Sequence, residues 1–271
     1  MNTALVLAGG TGTRLGSDIP KQYIKVNEKM IIDYCLKTLD ESEYIDAIWI
    51  VADSLWQDKI KLPEKFRGFS LPGDNRQLSI YNGINDIYAY ECNLHKNSDM
   101  SDRIGSHRGV CDRAVSDGKV INSASDIVLI HDAARPNLTE AMIKECMNAV
   151  RNDGYDGAMP VLPMKDTVYM SSDGKKIDSL IDRSTVYAGQ APEVFVLDKY
   201  IQANKLLLPD RILSINGSSE PAVMAGMNIA LVNGDENNYK ITTKADLERF
   251  IEECSGDSRW EKRQNEGTGI T

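Results

Sequence analysis

The feature that most constrains the fold is a short apolar run that leads directly into a glycine-rich loop near the N-terminus. Residues 3–8 predict a buried strand, and the loop after it reads Gly9-Gly10-Thr11-Gly12-Thr13-Arg14. Pro20-Lys21-Gln22 follows shortly afterwards. Backbone N–H groups in such a loop can approach phosphate oxygens without obstruction by side chains, and Arg14 and Lys21 add two cations that can clamp a triphosphate. The pattern therefore predicts a phosphate site at the end of a strand.

Two common phosphate-binding patterns do not fit this loop. A dinucleotide-binding fingerprint would need a third glycine where Leu15 stands. A Walker A loop would close with Gly-Lys-Ser or Gly-Lys-Thr, and this loop does not. A dehydrogenase is therefore the least favoured of the enzyme classes considered.

The rest of the chain alternates short apolar runs with segments of helical period, which is typical of an α/β protein with a mostly parallel sheet flanked by helices. Further strands are predicted over residues 45–52, 127–130, 156–161 and 228–232. Helices are predicted around residues 30–39 and over 75–90, 197–207 and 243–253. Another helix is predicted to begin at Thr139, which is a plausible N-cap.

A single domain is predicted over residues 1–254, and two segments within it and one after it differ from this alternation. Residues 163–188 predict a projecting β-hairpin arm, because a turn signal at Ser172-Asp173-Gly174-Lys175 separates two short runs. Residues 93–126 are rich in Ser, Asp, Asn and Lys and predict a surface insertion. Residues 255–271 predict a polar C-terminal tail.

The overall charge argues against nucleic acid and anionic membranes as partners. The 271 residues include 31 Lys and Arg against 40 Asp and Glu, for a formal net charge of -9, and both partners need a basic surface. No apolar run approaches the roughly 20 residues that span a bilayer. The five cysteines form no CxxC pair and the three histidines lack zinc-ligand spacing. We expect a cytoplasmic protein.

Two further motifs carry candidate binding groups. Pro72-Gly73-Asp74-Asn75-Arg76-Gln77-Leu78-Ser79 is either a turn and N-cap before a helix or a helix start that meets a base or phosphate. The run 128–136 ends a strand with His131-Asp132-Ala133-Ala134-Arg135-Pro136. The carboxyl ends of parallel strands line the ligand crevice of open α/β sheets. There Asp132 could hold Mg²⁺ and Arg135 could contact a second substrate's phosphate, unless the two form a structural ion pair.

Two later stretches are less specific when each is taken alone. Lys165-Asp166-Thr167 and Ile181-Asp182-Arg183-Ser184 lie on the predicted arm, where solvated residues are the ordinary case. Asn237-Asn238-Tyr239-Lys240-Ile241-Thr242-Thr243 contains a lysine that would by default be a surface residue and a threonine that could cap a helix.

These stretches, in this order, resemble the 2-C-methyl-D-erythritol 4-phosphate cytidylyltransferase family, which also contains the similar ribitol 5-phosphate cytidylyltransferases. The resemblance runs from Ala4 to about Phe250, apart from residues 93–126. It implies a Rossmann-like nucleotidyltransferase sheet with an arm. It also implies an activity in which the acceptor's phosphate attacks the α-phosphorus of CTP and pyrophosphate departs, with Mg²⁺ or another divalent cation as cofactor.

The resemblance also implies roles for individual residues. It makes Arg14, Lys21 and Lys240 catalytic. The nucleotide-binding positions that it implies are Ala8, Gly9, Gly10, Thr11, Gly12, Thr13, Gly73, Asp74, Ser79, Asp132 and Ala133, with Asp132 also holding the metal. It implies acceptor binding by Arg135, Thr167 and Arg183, the last two reaching across a homodimer from the partner's arm.

The acceptor half of the chain departs from the family pattern. Family members usually read Gln-Thr-Pro-Gln where this chain has Gln190-Ala191-Pro192-Glu193, and Asn216-Gly217-Ser218-Ser219-Glu220-Pro221 replaces a Thr-Asp-(Asp/Glu)-Ala-Ser stretch. Residues 131–135 and 182–183 favour methylerythritol phosphate, whereas Leu7-Ala8-Gly9-Gly10 and Gly189-Gln190 favour ribitol phosphate. As the acceptor, methylerythritol phosphate is the leading candidate and ribitol phosphate is the alternative. A third polyol phosphate stays open as the acceptor.

Two other functions compete with cytidylyl transfer. A nucleotidyltransferase for another nucleotide and a hexose phosphate would share the glycine loop, but the small size and the motif with Arg76 and Ser79 favour the cytidine branch. A nucleotide-binding regulatory domain would have no need for the lysine at 240, so its presence favours an enzyme.

Overall fold

A computed structural model describes residues 1–10, 19–99 and 126–255. The predicted site residues Thr11, Gly12, Thr13 and Arg14 lie outside these ranges. The strands and helices, in chain order, are β1 (Asn2–Leu7), β2 (Lys25–Val26), β3 (Lys29–Met30), α1 (Ile31–Glu41), β4 (Ala47–Val51), α2 (Ser54–Gln57), β5 (Phe66–Ser70), α3 (Arg76–Asp99), β6 (Ile127–Asp132), α4 (Glu140–Arg151), β7 (Gly157–Pro163), β8 (Val168–Met170), β9 (Ser179–Ile181), β10 (Tyr187–Gly189), β11 (Glu193–Val196), α5 (Leu197–Lys205), α6 (Glu220–Met224), β12 (Ile229–Asn233) and α7 (Lys244–Ser255).

An eight-stranded sheet organises the described part of the chain. Its path runs β10-β7-β11-β6-β1-β4-β5, and β12 pairs with β7 in parallel. Strands β6, β1, β4 and β5 are parallel neighbours, whereas β11 runs antiparallel to both β6 and β7. The prediction of a mostly parallel sheet flanked by helices is confirmed. Because β6 and β1 are parallel neighbours, the loops that follow them leave the same edge of the sheet.

Alternate residues of the central strands serve two separate cores, as the two-residue period of a strand requires. On β1, Ala4 and Val6 join a cluster that includes residues of α1 and α4. Leu5 faces the opposite side, where it joins a cluster that includes residues of α3 and α5. Both faces of the sheet are therefore covered.

Helix α3 packs closely against β1 and is longer than the sequence predicts. A Cβ on Gly83 would lie 2.6 Å from the Leu5 side chain, so only glycine allows this approach. The helix was predicted to end at Tyr90, but it continues through Asp99 and so enters the predicted insertion over 93–126. Residues 100–125 and 256–271 lie outside the described ranges.

The predicted arm is present as an antiparallel pair of short strands. Strands β8 and β9 pair through Val168 with Ile181 and Met170 with Ser179. The predicted N-cap of α4 is confirmed, because the Thr139 hydroxyl accepts from the Met142 N–H at 3.4 Å. Strands β2, β3, β5 and β11 and helices α2 and α6 were not predicted.

Within the described residues, no helix has the length and apolar character that crossing a membrane would require.

Candidate active site

The start of the glycine loop is held by side chains from the short helical turn over Lys21–Tyr23. The buried Gln22 Nε2 donates to the carbonyl oxygens of Ala8 at 2.6 Å and Gly10 at 2.7 Å. The Tyr23 hydroxyl donates to the same Ala8 carbonyl at 2.9 Å. These bonds fix two carbonyls at the end of β1, and burial raises the pKa of Tyr23 to about 12, which keeps its hydroxyl a donor.

Glycine is required at position 9 because another loop approaches it closely. A Cβ at Gly9 would lie 2.5 Å from the Pro72 side chain, which precedes the Gly73 to Ser79 motif. The Ser79 hydroxyl accepts from the Gly73 N–H at 3.0 Å, and Asn75 Oδ1 accepts from the Leu78 N–H at 2.7 Å. The motif is therefore a capped helix start that lies directly against the glycine loop.

These two loops form the walls of a cleft of about 400 Å³. Eight of the predicted site residues line it: Gly9, Gly10, Lys21, Gly73, Asp74, Ser79, Asp132 and Lys240. A second cleft, of about 460 Å³, lies between α1 and residues 61–64 and is lined by none of the predicted site residues. The chemistry predicted from sequence converges on the first cleft.

Asp132, the last residue of β6, lies among three cations. Its Oδ1 is 3.1 Å from Arg76 Nη2, and its Oδ2 is 3.0 Å from Lys240 Nζ and 3.7 Å from Arg135 Nε. Burial alone would raise the pKa of Asp132, but Arg76 and Lys240 oppose burial and hold that pKa well below its usual range. The carboxylate is therefore ionised throughout the working pH range.

His131 beside it is a structural residue. Its ring is fully buried, and Nε2 lies 3.0 Å from the Arg135 carbonyl oxygen. Burial lowers the pKa of His131 to about 4, so the ring is neutral at neutral pH. Since a carbonyl only accepts, Nε2 carries the proton and the ring orients the loop after β6.

Arg135 anchors the segment that carries Lys240. Its Nη1 donates to the Asn238 carbonyl at 2.5 Å, and the Ile241 N–H donates to the Ala134 carbonyl at 2.9 Å. Asn238 Nδ2 in turn donates to the Ala191 carbonyl at 2.6 Å. The predicted ion pair with Asp132 is present. Acceptor binding by Arg135 stays a prediction, because its side chain is largely buried and is not part of the cleft lining.

Two predicted nucleotide-binding residues lie beneath the cleft. Ala8 and Ala133 are buried, and their N–H groups donate to the carbonyls of Val51 and Leu7 at 2.8 and 3.1 Å. Because both N–H groups are used by the sheet, these residues support the cleft floor, and their contact with the nucleotide stays a prediction.

The arm residues lie elsewhere in the single chain. Thr167 and Arg183 are exposed, and the Arg183 Nη1 donates to the Lys165 carbonyl at 2.7 Å. Neither residue lines the cleft that contains Asp132. Their predicted role across a homodimer therefore stays a prediction.

A group without a predicted role also reaches this cleft. Arg76 begins α3, lines the cleft and contacts Asp132, and it is backed by Glu193 and Ser218. The sequence offered one signal for Arg76, its place between Gly73 and Ser79. It offered none for the contact with Glu193 and Ser218, which lie more than 100 positions away.

Comparison with known proteins agrees with this geometry. The model of a family described as 2-C-methyl-D-erythritol 4-phosphate cytidylyltransferase matches residues 2–93 and 106–251. The chain is 29% identical to the protein of that name from Thermotoga neapolitana, over 92% of this chain and 94% of that protein. It is 28% identical to the ribitol-5-phosphate cytidylyltransferase of Lactiplantibacillus plantarum, over 90% of this chain and 94% of that protein.

A longer relative and a solved structure complete the comparison. The chain is 29% identical to the bifunctional enzyme IspD/IspF of Wolbachia pipientis and spans only 53% of its length. The crystal structure of the Francisella tularensis 2-C-methyl-D-erythritol 4-phosphate cytidylyltransferase shares the fold, with a TM-score of 0.68 and 22% identity over 92% of this chain and 97% of that chain. Because the family model matches most of residues 2–251, this chain belongs to the 2-C-methyl-D-erythritol 4-phosphate cytidylyltransferase family of nucleotidyltransferases.

Proposed function

We propose that the chain transfers the cytidylyl group of CTP to the phosphate of a small polyol phosphate, with 2-C-methyl-D-erythritol 4-phosphate as the leading acceptor. The observation that carries the proposal is the meeting of Lys21, Lys240 and Asp132 with the opening of the glycine loop in one cleft. Family membership supports the same reaction.

The reaction exchanges one P–O bond for another. An oxygen of the acceptor phosphate forms a bond to the α-phosphorus, and the bond from that phosphorus to the oxygen bridging to the β-phosphate breaks. Pyrophosphate leaves with the electron pair, so no covalent intermediate with the protein is needed. The protein's contribution is therefore positioning and charge stabilisation.

The cations of the cleft have separate tasks in this proposal. Lys21, with the loop backbone and the predicted Arg14, holds the triphosphate and offsets charge on the departing pyrophosphate. Lys240 approaches the α-phosphate, where negative charge builds up in the transition state. In the structure its ammonium lies 3.0 Å from Asp132 Oδ2, which fixes the lysine at the cleft before substrate binds.

A divalent cation fits at Asp132 if it replaces one of the two cations now bonded to the carboxylate and the substrate supplies most of its ligands. Asp132 is an ionised carboxylate, the ligand type that Mg²⁺ prefers, and Mg²⁺ sites commonly combine one or two carboxylates with substrate phosphates. Among the described residues no cluster of three His, Cys, Asp or Glu side chains could hold a metal. Asp132 would therefore hold Mg²⁺ or another divalent cation together with CTP, and the bound ion would neutralise phosphate charge.

The choice of acceptor rests on motifs in the cleft and on the arm. Residues 131–135 and 182–183 support methylerythritol phosphate, as does the description of the matching family. Ribitol 5-phosphate is the second candidate, because residues 7–10 and 189–190 favour it and a relative that is 28% identical, against 29% for the other, bears that name. Ala191 does not decide between them, since it is buried and its carbonyl accepts from Asn238.

The test measures pyrophosphate release with CTP and Mg²⁺, offering each of the two polyol phosphates in parallel. We expect turnover with methylerythritol 4-phosphate, and a preference for CTP over UTP, ATP and GTP. Turnover with ribitol 5-phosphate alone would make ribitol 5-phosphate the acceptor and would leave the proposed reaction, cytidylyl transfer, unchanged. Silence with both acceptors despite tight CTP binding would contradict both named acceptors.

Lys240→Ala is the variant that tests the proposed chemistry. It removes a charge that is needed most in the transition state, so kcat should fall by about 10² or more while the Kd for CTP changes much less. Lys244→Ala is the matched control, because Lys244 is an exposed lysine four residues further along. Equal turnover of the two variants would remove Lys240 from the mechanism.

A further inference from the structure

Two segments that depart from the family pattern meet at one arginine of the cleft. The resemblance implies glutamine where Glu193 stands, and it implies a different stretch where residues 216–221 include Ser218. The Ser218 hydroxyl donates to Glu193 Oε1 and accepts from Arg76 Nη1. Arg76 Nη2 lies 3.9 Å from the same Glu193 oxygen. The two departures are therefore one structural unit, which we name the Glu193–Ser218 pair.

The Glu193–Ser218 pair is built into a rigid part of the fold. Ser218 is fully buried and Glu193 is 6% exposed. The Tyr200 hydroxyl donates to the Ser218 carbonyl at 2.7 Å, and the Tyr200 ring stacks on Phe195 at 4.2 Å between centroids. Gln77 Nε2 donates to the Tyr200 hydroxyl at 3.1 Å, which ties the assembly to α3. The serine hydroxyl that supports Arg76 thus has little freedom to move.

Arg76 itself is partly open to the cleft. Its side chain is 30% exposed, whereas that of Arg135 is 13% exposed and points its Nη1 at the Asn238 carbonyl. The hydrogen bonds to Ser218 and Asp132 use two of the five N–H donors of the guanidinium. A guanidinium with N–H groups left over matches the oxygens of a phosphate monoester in shape and charge.

The position of Arg76 indicates which substrate it meets. Arg76 binds Oδ1 of Asp132 and Lys240 binds Oδ2, so one carboxylate separates the two cations. If Lys240 meets the α-phosphate, the attacking oxygen of the acceptor's phosphate must lie within about 3.5 Å of the α-phosphorus. Arg76, the cation next to Lys240, is then well placed to bind the acceptor's phosphate.

We propose that Arg76 binds the phosphate monoester of the acceptor and that the Glu193–Ser218 pair positions its guanidinium, so that the pair helps to set acceptor preference. The inference rests on the proposed cytidylyl transfer for the identity of the ligand. Arg76 contacts the substrate in this scheme, and Glu193 and Ser218 are positioning residues that act through it.

The experiment measures binding of each polyol phosphate by titration calorimetry, with the protein saturated by a CTP analogue whose α,β-bridge is a methylene group. Arg76→Ala should weaken acceptor binding by about tenfold to a hundredfold, as expected for a lost hydrogen bond to a charged group. The acceptor affinity of Arg76→Lys should lie between that of Arg76→Ala and that of the wild type. The Kd for the CTP analogue should change less than threefold. Arg211→Ala, at an exposed arginine outside the cleft, is the control.

Ser218→Ala tests the positioning role. It should weaken acceptor binding about tenfold in the wild type and hardly at all in the Arg76→Ala background, because the serine acts through the arginine. Ser219→Ala is the neighbouring control. Glu193→Gln, which restores the usual family residue, should shift the ratio of affinities for methylerythritol 4-phosphate and ribitol 5-phosphate.

Three outcomes would overturn the inference. Acceptor affinity within twofold of the wild type in Arg76→Ala would remove the contact. An equal loss of affinity for the CTP analogue would place Arg76 on the nucleotide side. Additive effects of Arg76→Ala and Ser218→Ala would assign Ser218 a role that does not pass through Arg76. Binding is measured without turnover, so the two proposals can fail separately. If the wild type were inactive but the variants still lost acceptor affinity as expected, only the proposed function would be contradicted.

Discussion

Gln22 shows how one buried amide can set the shape of a binding loop. Its two N–H groups hold the carbonyls of Ala8 and Gly10, which lie on either side of Gly9. With those carbonyls turned towards Gln22, the backbone of the loop opening has a fixed direction before CTP arrives. A loop ordered in advance loses less conformational entropy when ligand binds.

Replacing Gln22 by leucine should therefore weaken both CTP binding and the fold. The change leaves two carbonyls without these donors, so we expect the free energy of unfolding to fall by about 2 kcal/mol and the Kd for CTP to rise about tenfold or more. Calorimetric titration and urea unfolding check the two values. Gln57→Leu is the control, because Gln57 makes a comparable amide bond to the Ala52 carbonyl at 3.0 Å. Unchanged CTP affinity in Gln22→Leu would contradict this role.

At this scale the sequence predicted the residues of the site better than their partners. Asp132, Lys21 and Lys240 were predicted from motifs, and the structure brings them into one cleft. The contacts of Arg76 with Glu193 and Ser218 were not predictable. Glu193 lies 117 positions after Arg76 in the chain, and Ser218 lies 142 positions after it. Local spacing carries no information about such contacts.

Between elements, a buried carboxylate connects α3 with β1. Glu91 on α3 is 4% exposed, and its Oε1 accepts from the Thr3 hydroxyl at 3.4 Å. Burial, followed by the negative charge of Asp126 before β6, raises the pKa of Glu91 well above its ordinary value. The folded protein therefore binds a proton here that the unfolded chain releases above about pH 4.5.

This difference predicts that stability falls as pH rises from about 5 towards 8. The folded state holds more protons than the unfolded state in that window, so the free energy of unfolding should fall by up to about 1.4 kcal/mol per pH unit from this group. Glu91→Gln should remove that slope, whereas Glu145→Gln, at an exposed position on α4, should keep it. Urea unfolding at pH 5, 6, 7 and 8 measures both variants. Parallel slopes for wild type and Glu91→Gln would show that Glu91 does not bind the proton.

Two of the strands that the sequence did not predict, β5 and β11, have physical reasons for their weak signals. Strand β5 contains Arg67 and Gly68, and the glycine is needed because a Cβ there would lie 2.5 Å from the Trp49 ring. Strand β11 has four residues, begins with the buried Glu193 and passes directly into α5. Short strands whose residues are chosen by such tertiary contacts lack the alternation of apolar and polar residues that predicts a β-strand.

For the whole molecule, the arm presents an apolar surface. Tyr169, Met170, Ile177 and Leu180 on the arm are each more than half exposed. Tyr169 and Leu180 are partners across β8 and β9, and exposed apolar side chains that meet in this way are typical of a protein–protein contact. We expect two chains to pair through their arms, which would bring Thr167 and Arg183 towards the partner's cleft.

Leu180→Asp should convert such a dimer to monomers. Leu180 is 64% exposed, so a charge there costs the single chain little but would be buried without a partner in the dimer. Light scattering should give twice the chain mass for the wild type and the single mass for the variant, with acceptor turnover reduced. Leu55→Asp, at a leucine 74% exposed on α2, should remain dimeric. A fully active wild-type monomer would remove the role of Thr167 and Arg183 across the dimer.

Helix α3 has a consequence for how additions to this protein can be tolerated. Its first residue, Arg76, contacts Asp132, and its last, Asp99, is reached after 24 residues, or about 36 Å at 1.5 Å per residue. The family match breaks off at residue 93, near this far end, and resumes at residue 106. A tag or domain spliced in at the far end of the helix would therefore join the fold about 36 Å from Arg76.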